Sequence, residues 1–70
     1  MMKSEMLREC RKSRRENQAQ FWSRFGVTQS RGSRFEMGAE IPAPIAILLK
    51  LYLTGKITDH DLVRPEQARL

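Results

Sequence analysis

Residues 27–38, V-T-Q-S-R-G-S-R-F-E-M-G, concentrate side chains that can hydrogen-bond to the edges of nucleic-acid bases. If residues 29–36 form a helix, Val27 and Phe35 face inward and the polar and cationic side chains stay outside. The outward set contains no acidic residue and consists of Gln29, Ser30, Arg31, Ser33 and Arg34. A short helix with such a face is typical of DNA recognition helices.

Four of these side chains are predicted to contact bases. Arg34 can form a bidentate pair with guanine, and Gln29 can form one with adenine, because their hydrogen-bonding groups match the base edges. The hydroxyls of Ser30 and Ser33 can serve either bases or phosphates.

Two capped helices should hold this face in place. Asn17 can cap a helix over residues 18–25, with Gln20 at the third helical position completing a capping box. Gly26 then allows a tight turn, and Thr28 can cap the following helix. Two short helices joined in this way form a helix-turn-helix.

Residues 18–38 resemble the helix-turn-helix of Cro and the phage repressors, the XRE-like regulators. In that class a Gln opens the first helix, Gly-Val-Thr/Ser-Gln-Ser makes the turn, and Arg-aromatic-Glu-x-Gly closes the recognition helix. The matching residues are Gln18, Gly26, Val27, Thr28, Gln29, Ser30, Ser33, Arg34, Phe35, Glu36 and Gly38. The small size of the chain is also similar to that of anti-CRISPR-associated regulators of phages and other mobile elements.

The resemblance implies an all-α, lambda-repressor-like compact bundle of about five short helices. It also implies a homodimer that binds an inverted-repeat operator in double-stranded DNA, with Gln18 bracing the site and touching phosphate. The residues predicted to contact the DNA backbone are Gln18, Thr28, Arg31, Arg14, Arg15 and Arg24.

Three residues depart from the pattern of that class, and two of them can be linked. A small residue usually stands at the position of Trp22, and a bulky Ile or Val at the position of Gly32. We hypothesise that the indole of Trp22 fills the volume that a side chain at Gly32 would occupy, which keeps the core packed. A third departure is Glu16, which stands where an apolar residue is usual and predicts a more hydrated junction between the first two helices.

The basic charge lies on the half of the chain that carries the motif. The formal net charge is +5. Residues 1–34 hold nine Lys and Arg against three Glu, whereas residues 35–70 hold four against five acidic residues. A basic stretch can equally be an ordinary solvated surface, so the charge supports the motif without replacing it.

A single domain is expected over residues 1–70, with an ordered core over 4–64 and the helix-turn-helix over 18–36. The one cysteine, Cys10, allows no intrachain disulfide and fits a reducing cytosol. It is expected to pack on the inner stripe of a first helix over residues 4–13, beside Leu7 and Met6. No apolar leader is evident at the start of the chain, so a cytoplasmic location is expected.

An apolar helix is predicted over residues 44–54, because Pro44 suits the first helical position and Gly55 suits a left-handed cap. The helix is too short to cross a bilayer, which takes about 20 apolar residues.

A last short helix is predicted over residues 59–63. Thr58 and Asp61 fit a capping box, and Ile57 and Leu62 fit the hydrophobic staple around it. Pro65 should stop this helix, and residues 66–70 should form a frayed tail.

Residues 44–64 are predicted to form a two-fold dimer contact, because one small domain cannot cover so apolar a helix on every side. The expected interface residues are Ile47, Leu51, Tyr52 and Leu62. A dimer would place two recognition helices about 34 Å apart, on half-sites along one face of the duplex. The alternative is that this helix is entirely internal core.

The sequence therefore predicts a dimeric repressor that acts by covering a promoter, its own promoter being one candidate. The alternative is a protein-interaction module, such as an antitoxin-like or adaptor protein, that reuses the fold. An enzyme is not expected, because no phosphate-binding Gly-rich loop, metal-ligand set or nucleophile-base pair is evident. His60 has only Asp59 and Asp61 beside it, so it is not expected to bind a metal or act as a general base. A domain this small has no room for a ligand-sensing or catalytic module, so no cofactor or small-molecule ligand is expected, and no membrane partner is expected either.

Overall fold

Four α-helices and one short 3₁₀ turn build the computed structural model, which describes residues 3–62. The helices are α1 (Ser4–Ser13), α2 (Gln18–Ser23), α3 (Gln29–Glu36) and α4 (Ala43–Leu53), and the 3₁₀ turn is Asp59–Leu62. No strand occurs within residues 3–62. The predicted all-α fold is confirmed, with a 3₁₀ turn in place of the fifth helix.

The bounds predicted for α1 and α3 are those observed. α2 is shorter than predicted, because the N–H groups of Phe25 and Val27 both donate to the carbonyl of Trp22, at 3.0 and 3.2 Å, and tighten the chain into a turn. α4 begins one residue early, with Pro42 as its N-cap and Pro44 in its first turn.

The caps predicted for α2 and α3 are present. The Asn17 side chain accepts from the Gln20 N–H at 2.7 Å, and the Gln20 side chain accepts from the Asn17 N–H at 2.9 Å. The Thr28 hydroxyl accepts from the Arg31 N–H at 3.2 Å. Since the first N–H groups of a helix have no intrahelical partner, these contacts fix locally where each helix begins.

All four helices end in a turn with one residue in the left-handed conformation, which after α2 is Gly26, with φ of 72°. Gly38 after α3 has φ of 106°, and Gly55 after α4 has φ of 77°, as predicted for Gly55. After α1 the same position is held by Arg15, with φ of 57°, the one non-glycine residue of positive φ within the described range. Because a side chain is disfavoured there by about 1–2 kcal/mol, α1 ends in a strained turn.

An aromatic cluster forms the core beneath the helix-turn-helix. The rings of Phe21 and Trp22 meet edge to face with centroids 5.2 Å apart, and those of Trp22 and Phe35 lie 5.4 Å apart. Both distances are within the range that aromatic pairs favour. The buried apolar residues are Leu7, Phe21, Trp22, Phe25, Val27, Phe35, Leu49 and Tyr52.

The first helix buries a narrower stripe than predicted. Leu7 is 1% exposed, but Met6 is 53% exposed. Cys10 is half-buried rather than part of the core, because the inner face of α1 rests on the bundle mainly through Leu7.

The 3₁₀ turn is closed by the Asp61 carboxylate. It accepts from the Thr58 backbone N–H at 2.8 Å and from the Thr58 hydroxyl at 3.1 Å, and these bonds lower the pKa of Asp61. The Thr58 hydroxyl therefore donates to a side chain instead of capping a backbone N–H, and only half of the predicted capping box forms. Ile57 and Leu62 are half-buried and pack against the core.

Several sequence predictions fall outside the described residues. They are the helix end at Val63, the limit of the ordered core at residue 64, the stop at Pro65 and the tail over 66–70. Within residues 3–62, no helix is both long enough and apolar enough to cross a membrane.

Candidate nucleic-acid interface

The outward side of α3 carries the side chains that the sequence placed there. Gln29, Ser30, Arg31 and Arg34 are exposed, and Ser33 is half-buried. The four residues predicted to contact bases therefore lie on one accessible side of a single helix.

The inward side of α3 rests on Trp22. A Cβ built on Gly32 would lie 2.8 Å from Nε1 of the indole and closer still to Cδ1 and Cγ. Trp22 is 0% exposed, so its ring cannot swing into solvent to make room. The hypothesis that the indole occupies the volume of a missing side chain at Gly32 is confirmed.

A buried carboxylate anchors the end of α3. Glu36 is 2% exposed, and its oxygens accept from Arg11 Nε at 2.8 Å, Arg11 Nη2 at 2.9 Å and Trp22 Nε1 at 2.7 Å. Arg8 adds a bond from Nη2 to the Glu36 backbone carbonyl at 3.2 Å. Because α1, α2 and α3 meet at this one side chain, it fixes the orientation of α3 in the bundle.

The Glu36 carboxylate is held in its ionised form. Burial alone would raise its pKa, but hydrogen bonds from Arg11, Trp22 and Gln18 outweigh the loss of hydration, so the pKa of Glu36 lies below its ordinary value. A charge-assisted, bidentate contact with Arg11 is the strongest of these bonds by geometry. The negative charge of Glu36, the acidic residue of α3, is thus balanced inside the fold by the positive charge of Arg11.

Gln18 links this anchor to the outward face. Its Nε2 donates to Glu36 Oε1 at 3.4 Å, and its Oε1 accepts from Gln29 Nε2, also at 3.4 Å. Gln18 is half-buried at the start of α2. Gln18 therefore supports the Gln29 side chain through the hydrogen bond that its Oε1 accepts.

Arg24 is engaged within the fold. Its guanidinium forms a two-pronged ion pair with Glu16, donates from Nε to Asp59 Oδ1 at 2.7 Å and lies over the rings of Phe21 and Tyr52. The hydrogen bond with Glu16 raises the pKa of Arg24 and lowers that of Glu16. Only 14% of the Arg24 side chain is exposed, which argues against the phosphate contact predicted for it.

The same ion pair explains why an acidic residue is tolerated at position 16, where an apolar residue is usual. An acidic residue at this position was predicted to leave a hydrated junction, but the junction is closed by a salt bridge with Arg24. Glu16 is half-buried rather than solvated.

The other predicted phosphate-binding residues are accessible. Arg14, Arg15 and Arg31 are all exposed, and so is Thr28. Arg14 lies 4.7 Å above the Tyr52 ring and donates to the Tyr52 hydroxyl at 3.3 Å, so only part of its hydrogen-bonding capacity is used inside the chain.

One residue predicted to form the dimer contact, Tyr52, is buried inside the single chain. Tyr52 is 6% exposed because Arg14, Arg24 and the Phe25 ring cover it, and its hydroxyl donates to Asp59 Oδ1 at 3.1 Å. Burial and this bond raise the pKa of Tyr52. The ring is internal core, so the prediction that it forms a dimer contact is wrong.

The remaining dimer candidates divide into two kinds. Ile47 is 58% exposed and Leu51 is half-buried, and the two lie four residues apart on one side of α4. Leu62 is half-buried but packs on the core of its own chain. Ile47 and Leu51 therefore carry the apolar surface of α4.

Sequence reasoning missed the partners that hold the site from inside. Arg8 and Arg11 appear in the sequence only as basic residues of α1, and their pairing with Glu36 spans at least 25 positions. The signal was the acidic residue at the end of an otherwise cationic helix, since a buried carboxylate requires a partner. Among residues 3–62 no group of His, Cys, Asp and Glu could hold a metal ion.

Residues 8–52 match the family described as the RsaL-like HTH domain. The chain is also similar to a solved structure described as the quorum-sensing repressor RsaL in Pseudomonas aeruginosa, with 51% sequence identity and a TM-score of 0.79. That similarity covers 84% of this chain and 87% of the other. No curated protein sequence matches the chain. The matched residues include the whole helix-turn-helix and nearly all of α4.

Proposed function

The chain belongs to the RsaL-like helix-turn-helix family, and from that premise we propose that it is a sequence-specific, DNA-binding transcriptional repressor with α3 as its recognition helix. Membership confirms the predicted class of helix-turn-helix regulator, which is not a class of enzymes. The solved relative is described as a repressor. The likeness to phage and anti-CRISPR-associated regulators stays a prediction.

The observation that carries the proposal is the separation of charge across α3. Its one acidic residue, Glu36, is turned inward and paired with Arg11, while Arg31 and Arg34 remain exposed. The outward face therefore offers cations and neutral hydrogen-bonding groups without a carboxylate to repel phosphate. Such a face suits the major groove, where base edges are read between two rows of phosphates.

We assign base contacts to Gln29, Ser30, Ser33 and Arg34. The proposed backbone contacts are Gln18, Thr28, Arg31, Arg14 and Arg15. Arg24 is left out, since Glu16 and Asp59 already occupy its guanidinium. Backbone contacts would set position and salt-dependent affinity, and base contacts would set sequence preference.

The active species is proposed to be a homodimer on an inverted-repeat operator. The exposed side of α4 around Ile47 and Leu51 supports this, because both apolar side chains face away from the core of their own chain. A two-fold axis there would give each operator half-site its own copy of α3.

The test is selection of bound sequences from a random duplex DNA pool, followed by affinity measurements on the selected operator. Arg34→Ala should weaken binding by about 1–3 kcal/mol and relax preference at one base pair of each half-site. Lys12→Ala is the control, because Lys12 is an exposed cation on α1 that is among neither the proposed DNA contacts nor the proposed dimer contact. A wild-type protein that enriches no sequence would overturn the function, and an unchanged preference in Arg34→Ala would overturn the recognition-helix assignment.

A further inference from the structure

We propose that Glu36, although buried, helps select the base read by Gln29, because it fixes the direction in which two side-chain amides point. The proposal rests on the function proposed above for α3. Glu36 is then a positioning residue for sequence recognition as well as an anchor of the fold.

The hydrogen-bonding capacity of the Glu36 carboxylate is filled. An ionised carboxylate offers about four acceptor sites on its two oxygens. Oε2 accepts from Arg11 Nε and Trp22 Nε1, and Oε1 accepts from Arg11 Nη2 and Gln18 Nε2. With Arg11 holding both oxygens and the indole locking one of them, the carboxylate cannot rotate.

This fixed acceptor gives the Gln18 amide a direction. An ionised carboxylate can only accept, so the amide group that faces it must be the NH₂ and not the carbonyl. The Gln18 carbonyl oxygen is thereby turned toward α3, where it accepts from Gln29 Nε2 at 3.4 Å. Amide nitrogen and oxygen are otherwise nearly interchangeable by shape, and the charge of Glu36 removes the ambiguity.

The direction passes on to Gln29. With Nε2 held toward Gln18, Gln29 presents its carbonyl oxygen as an acceptor and its second N–H as a donor, in one order along the groove. Adenine offers the complementary pair, an N6 donor beside an N7 acceptor. A reversed amide would present the two groups in the opposite order and would discriminate less well between bases.

The experiment compares selections from one random duplex pool with wild-type protein and with three variants. Gln29→Ala identifies the base pair that Gln29 reads. Gln18→Met keeps the length of the side chain but removes the amide that joins Glu36 to Gln29. Gln20→Met is the matched control, because it makes the same substitution on α2 and breaks the capping box without touching that link.

We expect Gln18→Met to lower discrimination at the base pair marked by Gln29→Ala by about threefold to tenfold, a partial loss of what a bidentate pair provides. Preference at the other base pairs should stay as in the wild type, and Gln20→Met should keep the full wild-type preference. A uniform loss of preference at all positions, or the wild-type preference in Gln18→Met, would overturn the proposal.

Glu36→Gln provides a second, independent reading. A neutral amide at position 36 can donate to Gln18 as well as accept from it, so the Gln18 amide is free to reverse. Where the variant is folded by circular dichroism, the same base pair should lose discrimination, and full retention there would also overturn the proposal. If wild-type protein enriches no sequence, the proposed function fails. If it does enrich one but Gln29→Ala changes no base preference, the positioning role of Glu36 and the base contact assigned to Gln29 both fail, while the proposed function as a sequence-specific DNA-binding repressor stands.

Discussion

The indole of Trp22 fills the space in which a side chain on Gly32 would lie. Even a Cβ at Gly32 would come within 2.8 Å of the indole nitrogen, and that nitrogen already donates to Glu36 at 2.7 Å. The ring is therefore held on two sides and cannot retreat. The close approach of α2 and α3 depends on the pair and not on either residue alone.

Gly32→Ala should destabilise the protein although alanine favours helix. The helix gains about 1 kcal/mol from the better intrinsic propensity of alanine. Overpacking against a buried ring costs about 1–3 kcal/mol, so the free energy of unfolding should fall, and fall further in Gly32→Ile. Thermal and urea denaturation measure both changes. A melting temperature equal to or above that of wild type would show that the indole of Trp22 moves aside to make room for the new side chain.

A double-mutant cycle isolates the cause. In a Trp22→Leu background the same Gly32→Ala change should cost less, because the smaller side chain leaves room for the methyl group. Equal costs in both backgrounds would mean that the indole is not responsible.

Arg15→Gly should stabilise the protein and weaken its binding to DNA. Glycine adopts the left-handed backbone of position 15 without the side-chain penalty of about 1–2 kcal/mol, and the flexibility it adds to the unfolded chain returns only part of that gain. A net increase of about 0.5–1 kcal/mol in the free energy of unfolding is expected. The lost cation should also reduce the salt dependence of operator binding by about one phosphate contact.

Arg15→Ala separates the two effects, because alanine removes the charge but keeps a Cβ on the left-handed backbone and so brings no gain in stability from the relief of strain. Its DNA affinity should match that of Arg15→Gly. Affinity equal to wild type in both variants would remove Arg15 from the proposed backbone contacts.

Acid should unfold the protein partly through Glu36. Its pKa in the folded state is below its ordinary value, so its contribution to stability is complete above about pH 5 and is lost as the pH falls through the lowered folded value. Glu36→Gln should therefore be less stable than wild type at pH 7, with the two curves converging as the pH falls through the lowered folded pKa of Glu36. Urea titrations at several pH values measure this. A constant difference between the curves would rule out the ionised carboxylate as the source.

Arg24→Met should affect stability and not sequence recognition. The variant keeps the aliphatic stem over Phe21 and Tyr52 but loses the ion pairs with Glu16 and Asp59. A loss of about 1–2 kcal/mol is expected, because the Glu16 pair is partly shielded while Asp59 is largely exposed. Operator affinity measured well below the melting temperature should stay close to that of wild type. A loss as large as that of Arg34→Ala would return Arg24 to the DNA contacts.

Ile47→Glu should separate the protomers without unfolding them. Ile47 is 58% exposed in the single chain, so a carboxylate there remains hydrated in a monomer but is buried in the proposed dimer. Light scattering at micromolar concentration should give twice the chain mass of 8.2 kDa for wild type and the chain mass for the variant. Wild-type protein at 8.2 kDa would contradict the dimer.

The parts of the fold that depend on neighbouring residues could be predicted from the sequence. Asn17 with Gln20, and Thr28 at the start of α3, are caps whose partners lie within one turn. The outward residues of α3 follow from helical period alone. For the same reason the bounds of α1 and α3 are those predicted.

The parts of the fold that depend on partners distant in the sequence could not be predicted. Arg24 reads as a surface cation until the turn at Asp59, 35 residues later, folds beside it. Tyr52 reads as an exposed aromatic until two arginines from the first half of the chain cover its ring. Such contacts depend on how helices pack, which neither period nor spacing encodes.

The position of Trp22 also makes the recognition helix optically observable. It is the one tryptophan of the sequence, it has no exposed surface, and its N–H is bonded to the carboxylate that anchors α3. Its emission therefore comes from a single site at the α2–α3 contact, and it will report when that contact opens or when α3 shifts on DNA. Trp22, whose ring lies where a side chain on Gly32 would stand, is thus a native fluorophore beneath the proposed DNA-binding face of α3.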